Sequence, residues 1–434
     1  MKASYIKKLF LGTINSMKDN ISAFVKHPGV DFTRTRKCPF TALIRFILTL
    51  ECHSLNHELS SFFCCDRSGI PSRSAFIQQR DKLNDAVFPS LFSELNKKTG
   101  FKRTFHGFHI LACDGSDVNI PPLASDKTTI VASNTPGVTY HQMHLNAMYD
   151  VLEERYSDVI IQPRAKYNER AAFISFLERN PVPGKCIFLA DRGYFSLNVL
   201  AHLLRSGQFF VCRMNVPDSG DFFLKRFDMP ESEVFDTELE INVTRSCRKA
   251  KNNPKQYVAV GKNRRFDFIP ADDKESVFTM PCRLVKVRLT DGNYEYLITN
   301  LPNKGFDAET IKELYRLRWG IETSFRVLKY NVSLNSFHSI RRDFITQEIY
   351  ARLIIYNLTM SLVHSVTVKK KDTKYQYKIS VSAAVITCRD YLIHKIRNST
   401  VISELLHHLT PIRPGRKYVR KKRSKRYVPL TNRA

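Results

Sequence analysis

What this 434-residue chain lacks narrows its function first. No apolar run approaches the roughly 20 residues that a membrane-spanning helix requires. The opening MKASYIKKLF has no apolar core followed by a small-residue cleavage site, so a cytoplasmic protein is expected. None of the ten cysteines forms a C-x-x-C pair, and several lie in apolar runs such as ILAC and KCIFLA. That pattern predicts buried thiols in a reducing compartment and excludes zinc clusters and a disulfide framework. No heptad repeat predicts a coiled coil, and there is one tryptophan, Trp319. Acid is the largest deficit: 41 Asp and Glu stand against 68 Lys and Arg, a formal net charge of +27 with a pI near 9.7. Such an excess calls for a polyanionic partner, with nucleic acid first and an anionic membrane surface second.

What is present begins with core-forming content. The length suits two or three domains, and a hydrophobic content of 43% is ample for a real core, so the chain is not a disordered one. Residues 1–100 read as helical. Amphipathic spacing runs through ALIRFILTLECHSLNHELSSFF, and Ser72 or Ser74 is placed to cap a helix through SRSAFIQQRDKL. Arg73, Gln78, Gln79, Arg80 and Lys82 on that helix suit phosphates and base edges, as in a helix-turn-helix-like unit. An ordinary bundle with a polar face explains them equally well.

Near Phe105 the period changes. FHILACDGSDV is a short apolar run ending abruptly at Asp114, the pattern of a buried strand that delivers a carboxylate at its end. HQMHLNAMYDVL and RYSDVIIQP read as paired strands. His141 and His144 are an odd number of residues apart, so a strand sends them to opposite faces and they do not form a metal pair. A helix, NERAAFISFLERN, leads to KCIFLADRGYF, a second apolar run ending in Asp191. Another helix, LNVLAHLLRSG, precedes the strand QFFVCRMNV, giving a mixed α/β sheet. From 217 to 303 the helical signal fades. FDTELEINV and a hairpin turning at Asp291-Gly292 make this a β-rich insert.

Residues 306–332, FDAETIKELYRLRWGIETSFRVLKYNV, read as one helix. Asp307 caps it, Phe306 and Ile311 form a hydrophobic staple, and Leu314, Leu317, Ile321, Phe325, Leu328 and Val332 form its buried stripe. At about 100° per residue, Tyr315, Arg318, Glu322 and Lys329 fall within an arc of roughly 60°. One carboxylate is thus flanked by two cations and a phenol. Apolar helices follow at TQEIYARLIIYNLTMSLVHSV and SVSAAVITCRDYLIHKI, separated by a polar linker containing Lys369 to Lys371. The tail from Arg413 to Arg426 carries nine Lys/Arg and no acid. Subtracting nine from twenty-seven leaves eighteen positive charges elsewhere, so the body is basic too. The tail is expected to be disordered and to contact phosphate backbone without sequence preference.

Three carboxylates stand out: Asp114 and Asp191 at strand ends, and Glu322 on the helix. Any single aspartate there also serves as a turn former. Brought together in a cationic protein, the three suit Mg²⁺ or Mn²⁺, with two ions about 4 Å apart clamping the attacking and leaving oxygens of a phosphodiester.

The spacing Y-(2)-R-(3)-E-(6)-K at Tyr315, Arg318, Glu322 and Lys329 resembles the signature of the bacterial insertion-sequence-four family of DDE transposases. ACDGSDV is similar to the family's first-aspartate segment, and FLADRGYFS to its second. The resemblance covers roughly residues 105–332. It implies an α/β fold with a ribonuclease H-like catalytic core interrupted by a β-rich insertion, flanked by helical N- and C-terminal regions. It implies that Asp114, Asp191 and Glu322 bind two divalent cations, Mg²⁺ or Mn²⁺. It further implies that Tyr315, Arg318 and Lys329 hold phosphates near the cut. Arg192 is either a further DNA contact or half of an internal ion pair. The implied activity is cut-and-paste transposition: binding of terminal inverted repeats, hydrolysis at the element's ends, and attack of the freed 3′-hydroxyls on target DNA. The implied partners are double-stranded DNA and a second copy of the chain in the DNA complex. Some members hold a flipped base on an insertion-domain tryptophan. Here Trp319 lies in the signature helix instead, leaving Tyr294, Tyr296 or Phe306 as stacking surfaces.

The expected organisation is a helical DNA-binding region (1–100), the first part of the core (101–216), the insertion (217–303), the second part of the core with the glutamate helix (304–340), a helical region (341–410) and the basic tail (411–434). Two other functions remain open: an inactive or repurposed DNA-binding relative, and a ribonuclease H-like nuclease without strand transfer.

Overall fold

The computed structural model describes residues 2–34, 36–63, 69–123, 126–133, 136–215, 223–289, 292–369 and 374–413. Segments with period-two alternation and β-branched or aromatic content form a ten-stranded mixed sheet, with helices packed on its faces. Its strands are β1 (His109–Ile120), β2 (Ile130–Ala132), β3 (Thr139–Asp150), β4 (Arg155–Pro163), β5 (Cys186–Ala190), β6 (Phe209–Arg213), β7 (Phe235–Thr244), β8 (Tyr257–Ala259), β9 (Val277–Arg288) and β10 (Tyr294–Thr299). In space the order is β2-β3-β1-β5-β6-β10-β9-β7-β8, with β4 pairing β3 on the edge it shares with β2. β3 runs antiparallel to β1 and β4, whereas β5 and β6 run parallel to β1 and to each other. Beyond β6 the sheet continues through the antiparallel β10, β9 and β7.

Five helices precede the sheet: α1 (Ala3–Asp19), α2 (Phe40–Thr49), α3 (Leu55–Phe63), α4 (Arg73–Asp81) and α5 (Val87–Thr99). Within it lie α6 (Glu169–Arg179), α7 (Leu197–Arg205) and the short α8 (Cys247–Asn252). After it come α9 (Ala308–Arg316), α10 (Trp319–Tyr330), α11 (Arg342–His364) and α12 (Val381–Leu392). Alternation divides the core between the sheet's two faces. Ile110, Ala112, Ile187, Leu189 and Val211 pack toward a core shared with the first five helices and α9 to α12. Leu111, Cys113, Phe188, Phe210 and Cys212 pack toward α6, α7 and the β7–β9 strands. Helix α11 is buried around most of its circumference, and α1, α2 and α5 pack on it.

Several sequence expectations change. β1 does not end at Asp114 but continues to Ile120, because antiparallel β3 pairs with it as far as Ile120↔His141. Only its parallel pairing with β5 stops there, at Cys113↔Ala190. The helix expected over 306–332 is two, α9 and α10. At the junction Leu317, Arg318, Gly320 and Ile321 donate to carbonyls three residues back, a tightened turn that Gly320, a weak helix former, accommodates. The break leaves Leu317 39% exposed, out of the buried stripe. The Asp307 cap is present, its Oδ1 accepting from Thr310 N at 2.9 Å. In the N-terminal region Ser72, not Ser74, caps α4 through Ala75 N. The amphipathic stretch before it splits into α2 and α3 because the Glu58 carboxylate accepts the Glu51 and His53 amides.

A short α8, capped by Ser246, interrupts the strands of the 217–303 stretch. Cys247 is exposed, whereas Cys38, Cys113, Cys186, Cys212, Cys282 and Cys388 are buried free thiols. Gly292 has φ +85°, suited to the expected tight turn, while Asp291 lies outside the described residues. Outside them too are Cys64, Cys65, Lys370, Lys371 and the tail beyond Arg413.

Candidate active site

The β1/β5 register sets the centre of the site. Cys113 is level with Ala190 on the parallel neighbour, so the next residues along, Asp114 and Asp191, stand side by side where the pairing ends. Asp114 has the parity of Ile110 and Ala112 on the face that meets α9 and α10, and β1 itself touches α10. The third carboxylate, Glu322, comes from the first turn of α10.

Arg318 links them. This residue is only 4% exposed; its Nη2 donates to Glu322 Oε1 at 2.7 Å, and its Nη1 lies 3.9 Å from Asp114 Oδ2. Burial opposes its charge, yet Tyr315, Glu322 and Asp191 together raise its pKa. The buried Tyr315 donates its hydroxyl to Asp191 Oδ1 at 3.4 Å, and burial foremost, followed by the carboxylates of Asp191 and Glu295, pushes that phenol up. Burial pushes the Asp114 carboxyl up to about 6; Glu322 and Asp191 push the same way, while the Gly115 amide and Arg318 oppose them. The structure therefore brings Asp114, Asp191, Glu322, Tyr315 and Arg318 into one cluster.

Lys329 sits two turns further along α10 and is half-buried; burial lowers its pKa and Asp117 opposes this. Arg192 is exposed and forms no ion pair among the described residues, so the internal ion pair is absent there. Trp319 is 48% exposed beside Arg318, whose guanidinium lies 5.4 Å from the indole centroid. Tyr294 and Tyr296 both lie against Lys286, and Phe306 is buried against Phe108.

Two neighbours escape a reading of the sequence by motif. Glu295 on β10 is buried, pairs with Arg213 at 3.1 Å and is near enough to Asp191 and Arg318 to feel both. Its signal is an acid on the Leu297 and Thr299 face of an alternating strand. The second is a buried polar group one strand over. His144 Nδ1 lies 2.7 Å from Asp117 Oδ1, and its Nε2 lies 3.2 Å from Glu169 Oε1. Arg164 pairs with Asp117 at 3.1 Å. Gly115 makes room for this group: a Cβ there would lie 2.5 Å from both His144 Nε2 and Glu169 Oε1. His141 bonds Thr129 instead, away from His144.

No three Asp, Glu, His or Cys side chains among the described residues stand together at metal-ligand spacing. By chemistry the three carboxylates are hard oxygen donors of the kind a divalent cation takes, and in this arrangement their counter-charge is the Arg318 guanidinium. No helix among the described residues is long and apolar enough to cross a membrane.

Residues 106–358 match the family described as "Transposase DDE domain". No curated protein matches the sequence. Among solved structures, a piggyBac transposase synaptic complex with hairpin DNA, determined by cryo-electron microscopy, is similar at a TM-score of 0.47 and 12% identity, over 96% of this chain and 83% of that one.

Proposed function

The chain belongs to the transposase DDE-domain family, and from this we propose that it is a metal-dependent transposase that cuts DNA at the ends of a mobile element and joins the 3′-hydroxyl ends to target DNA. The observation that carries the proposal is the register that sets Asp114 beside Asp191, with Glu322 tied to the same cluster through Arg318. Within the family we assign the chain to the insertion-sequence-four group, on the spacing of Tyr315, Arg318, Glu322 and Lys329. We read the order β4-β3-β1-β5-β6 as a ribonuclease H-like core and β7 to β10 as the insertion that extends its sheet.

Asp114, Asp191 and Glu322 would hold two Mg²⁺ or Mn²⁺ ions, which supply Lewis acidity at the phosphodiester and lower the pKa of water or a 3′-hydroxyl. In hydrolysis the water oxygen bonds to phosphorus, the P–O3′ bond breaks and the 3′-oxygen takes a proton. In joining, the 3′-hydroxyl takes the part of water at a target phosphate. Tyr315 holds the Asp191 carboxylate by donation and so sets its orientation. Arg318, held between Glu322 and Asp114, keeps those two carboxylates together, and Lys329 and the exposed Arg192 add positive charge along the strand. The +27 net charge supports double-stranded DNA as the partner. Cutting two ends in concert calls for a dimer on DNA, and the protein is assigned to the bacterial cytoplasm.

The test uses purified protein, Mg²⁺ and DNA carrying the element's inverted-repeat ends. Cleavage and joining are expected from the native chain, with both lost in Glu322→Gln. Undiminished activity in that variant would remove Glu322 from the site.

A further inference from the structure

A cleft of about 730 Å³ lies between the first turns of α6 and α7, the side chains of Phe223 and Arg226, and the end of β8. Arg170, Arg226, Arg264 and Arg265 line it, and no Asp or Glu is among its described lining residues. Arg265 is held by Asp267 at 2.9 Å. The other three arginines form no ion pair among the described residues, although Arg170 Nε donates to Gly193 O at 3.1 Å. This last bond ties the cleft to the loop that begins at Asp191. An aromatic wall stands beside the arginines, with Phe195 and Phe223 packed edge to face at 5.2 Å and both half-buried.

Convergent guanidinium groups recruit phosphates, and ring faces recruit bases of any identity. A duplex keeps its bases stacked inward, so only an unpaired strand offers phosphates and a base face together. An acidic peptide would use the arginines and leave the rings idle. We infer that this cleft binds an unpaired stretch of DNA adjoining the candidate active site, its phosphates on Arg170, Arg226 and Arg264 and a base against Phe195 and Phe223. The inference rests on the proposed function for the choice of DNA; the phosphate and ring contacts come from the cleft itself.

The experiment is fluorescence anisotropy of the full chain with a labelled oligothymidylate and with a duplex, over a salt series. The variant Arg226→Gln/Arg264→Gln is expected to reduce the slope of log K against log salt for the single strand by about 1.4, about 0.7 for each phosphate that is no longer neutralised. Phe195→Leu keeps an apolar wall but removes the ring. It is expected to weaken single-strand binding by on the order of ten-fold and to leave duplex binding unchanged. Native circular dichroism in each variant shows that folding is retained. An unchanged slope and affinity in both variants would overturn the inference. So would equal loss of single-strand and duplex binding in Phe195→Leu, or full displacement of the oligonucleotide by thymidine monophosphate at matched nucleotide concentration, which would assign the cleft to a free nucleotide. Single-strand effects without cleavage of element ends would retain the cleft and refute the transposase reading. Cleavage with no single-strand effect would do the reverse.

Discussion

Arg80 separates two accounts of the N-terminal helices. On sequence it belongs with Arg73 and Gln78 as a candidate phosphate contact, yet the structure leaves it 1% exposed. Its Nε donates to Gln347 Oε1 at 2.8 Å, its Nη1 to Glu348 Oε1 at 2.9 Å and its Nη2 to Phe344 O at 2.7 Å, all on α11. Glu348 is fully buried and also accepts the His338 amide, while the His338 ring lies 3.2 Å from Glu58 on α3. Arg80→Met fills much of the volume but takes away the Glu348 carboxylate's paired guanidinium, leaving it His338 and the charge of Arg352. Removing one member of a buried pair costs about 3–5 kcal/mol, most of it from the stranded charge. Urea unfolding is therefore expected to show a loss in that range. The double variant Arg80→Met/Glu348→Leu, which removes both charges, should recover most of it. Duplex binding by the folded Arg80→Met protein should keep its native salt dependence, because a guanidinium buried against α11 neutralises no phosphate. A loss below about 1 kcal/mol, joined to a salt slope shallower by about 0.9, would refute the reasoning and return Arg80 to the DNA-facing surface.

The same network has a pH signature. Although burial opposes its charge, Glu348 and Glu58 raise the His338 pKa from 6.5 to about 9, so this stabilisation is complete below pH 6.5 and lost as pH rises through about 9. Urea midpoints should fall over that window, and His338→Gln should flatten the fall. Asp114 carries the opposite liability. Burial raises its carboxyl from 3.8 to about 6, so ionisation at pH 8 costs the fold about 3 kcal/mol. Asp114→Asn should abolish cleavage while raising the melting temperature at pH 8, with the gain gone below pH 3.8; equal melting temperatures at pH 8 would count against that cost. Gly115→Ala puts a methyl 2.5 Å from His144 and Glu169. Overpacking of this kind costs about 1–3 kcal/mol, so unchanged urea stability would show that the His144 group yields freely.

Legibility on the sequence followed the range of the interactions involved. Asp114, Asp191 and Glu322 could be singled out because apolar runs that stop at an acid, and a helix with ordered polar residues, are patterns over ten or so neighbours. The Asp307 cap was readable for the same reason, since its bond to Thr310 spans three residues. Glu295, by contrast, reaches the site only because β10 pairs with β6 across more than eighty residues of chain. The break at Leu317 was hidden because α9 and α10 share one helical phase in the sequence, and the tightened turn shows only in their backbone bonds.

Composition and local pattern alone settled that this is a basic, core-forming chain of strands and helices, and picked out three acids within it. They could not set which acids are neighbours or which cations are free. Strand register decided the first, placing Asp114 level with Asp191 even though β1 runs on past it. Burial decided the second, turning Arg80 inward to Glu348 and Arg318 inward to Glu322 while leaving Arg192 at the surface. Both depend on contacts between residues far apart in the chain, and those acquire an energy only when the sheet and its covering helices are assembled.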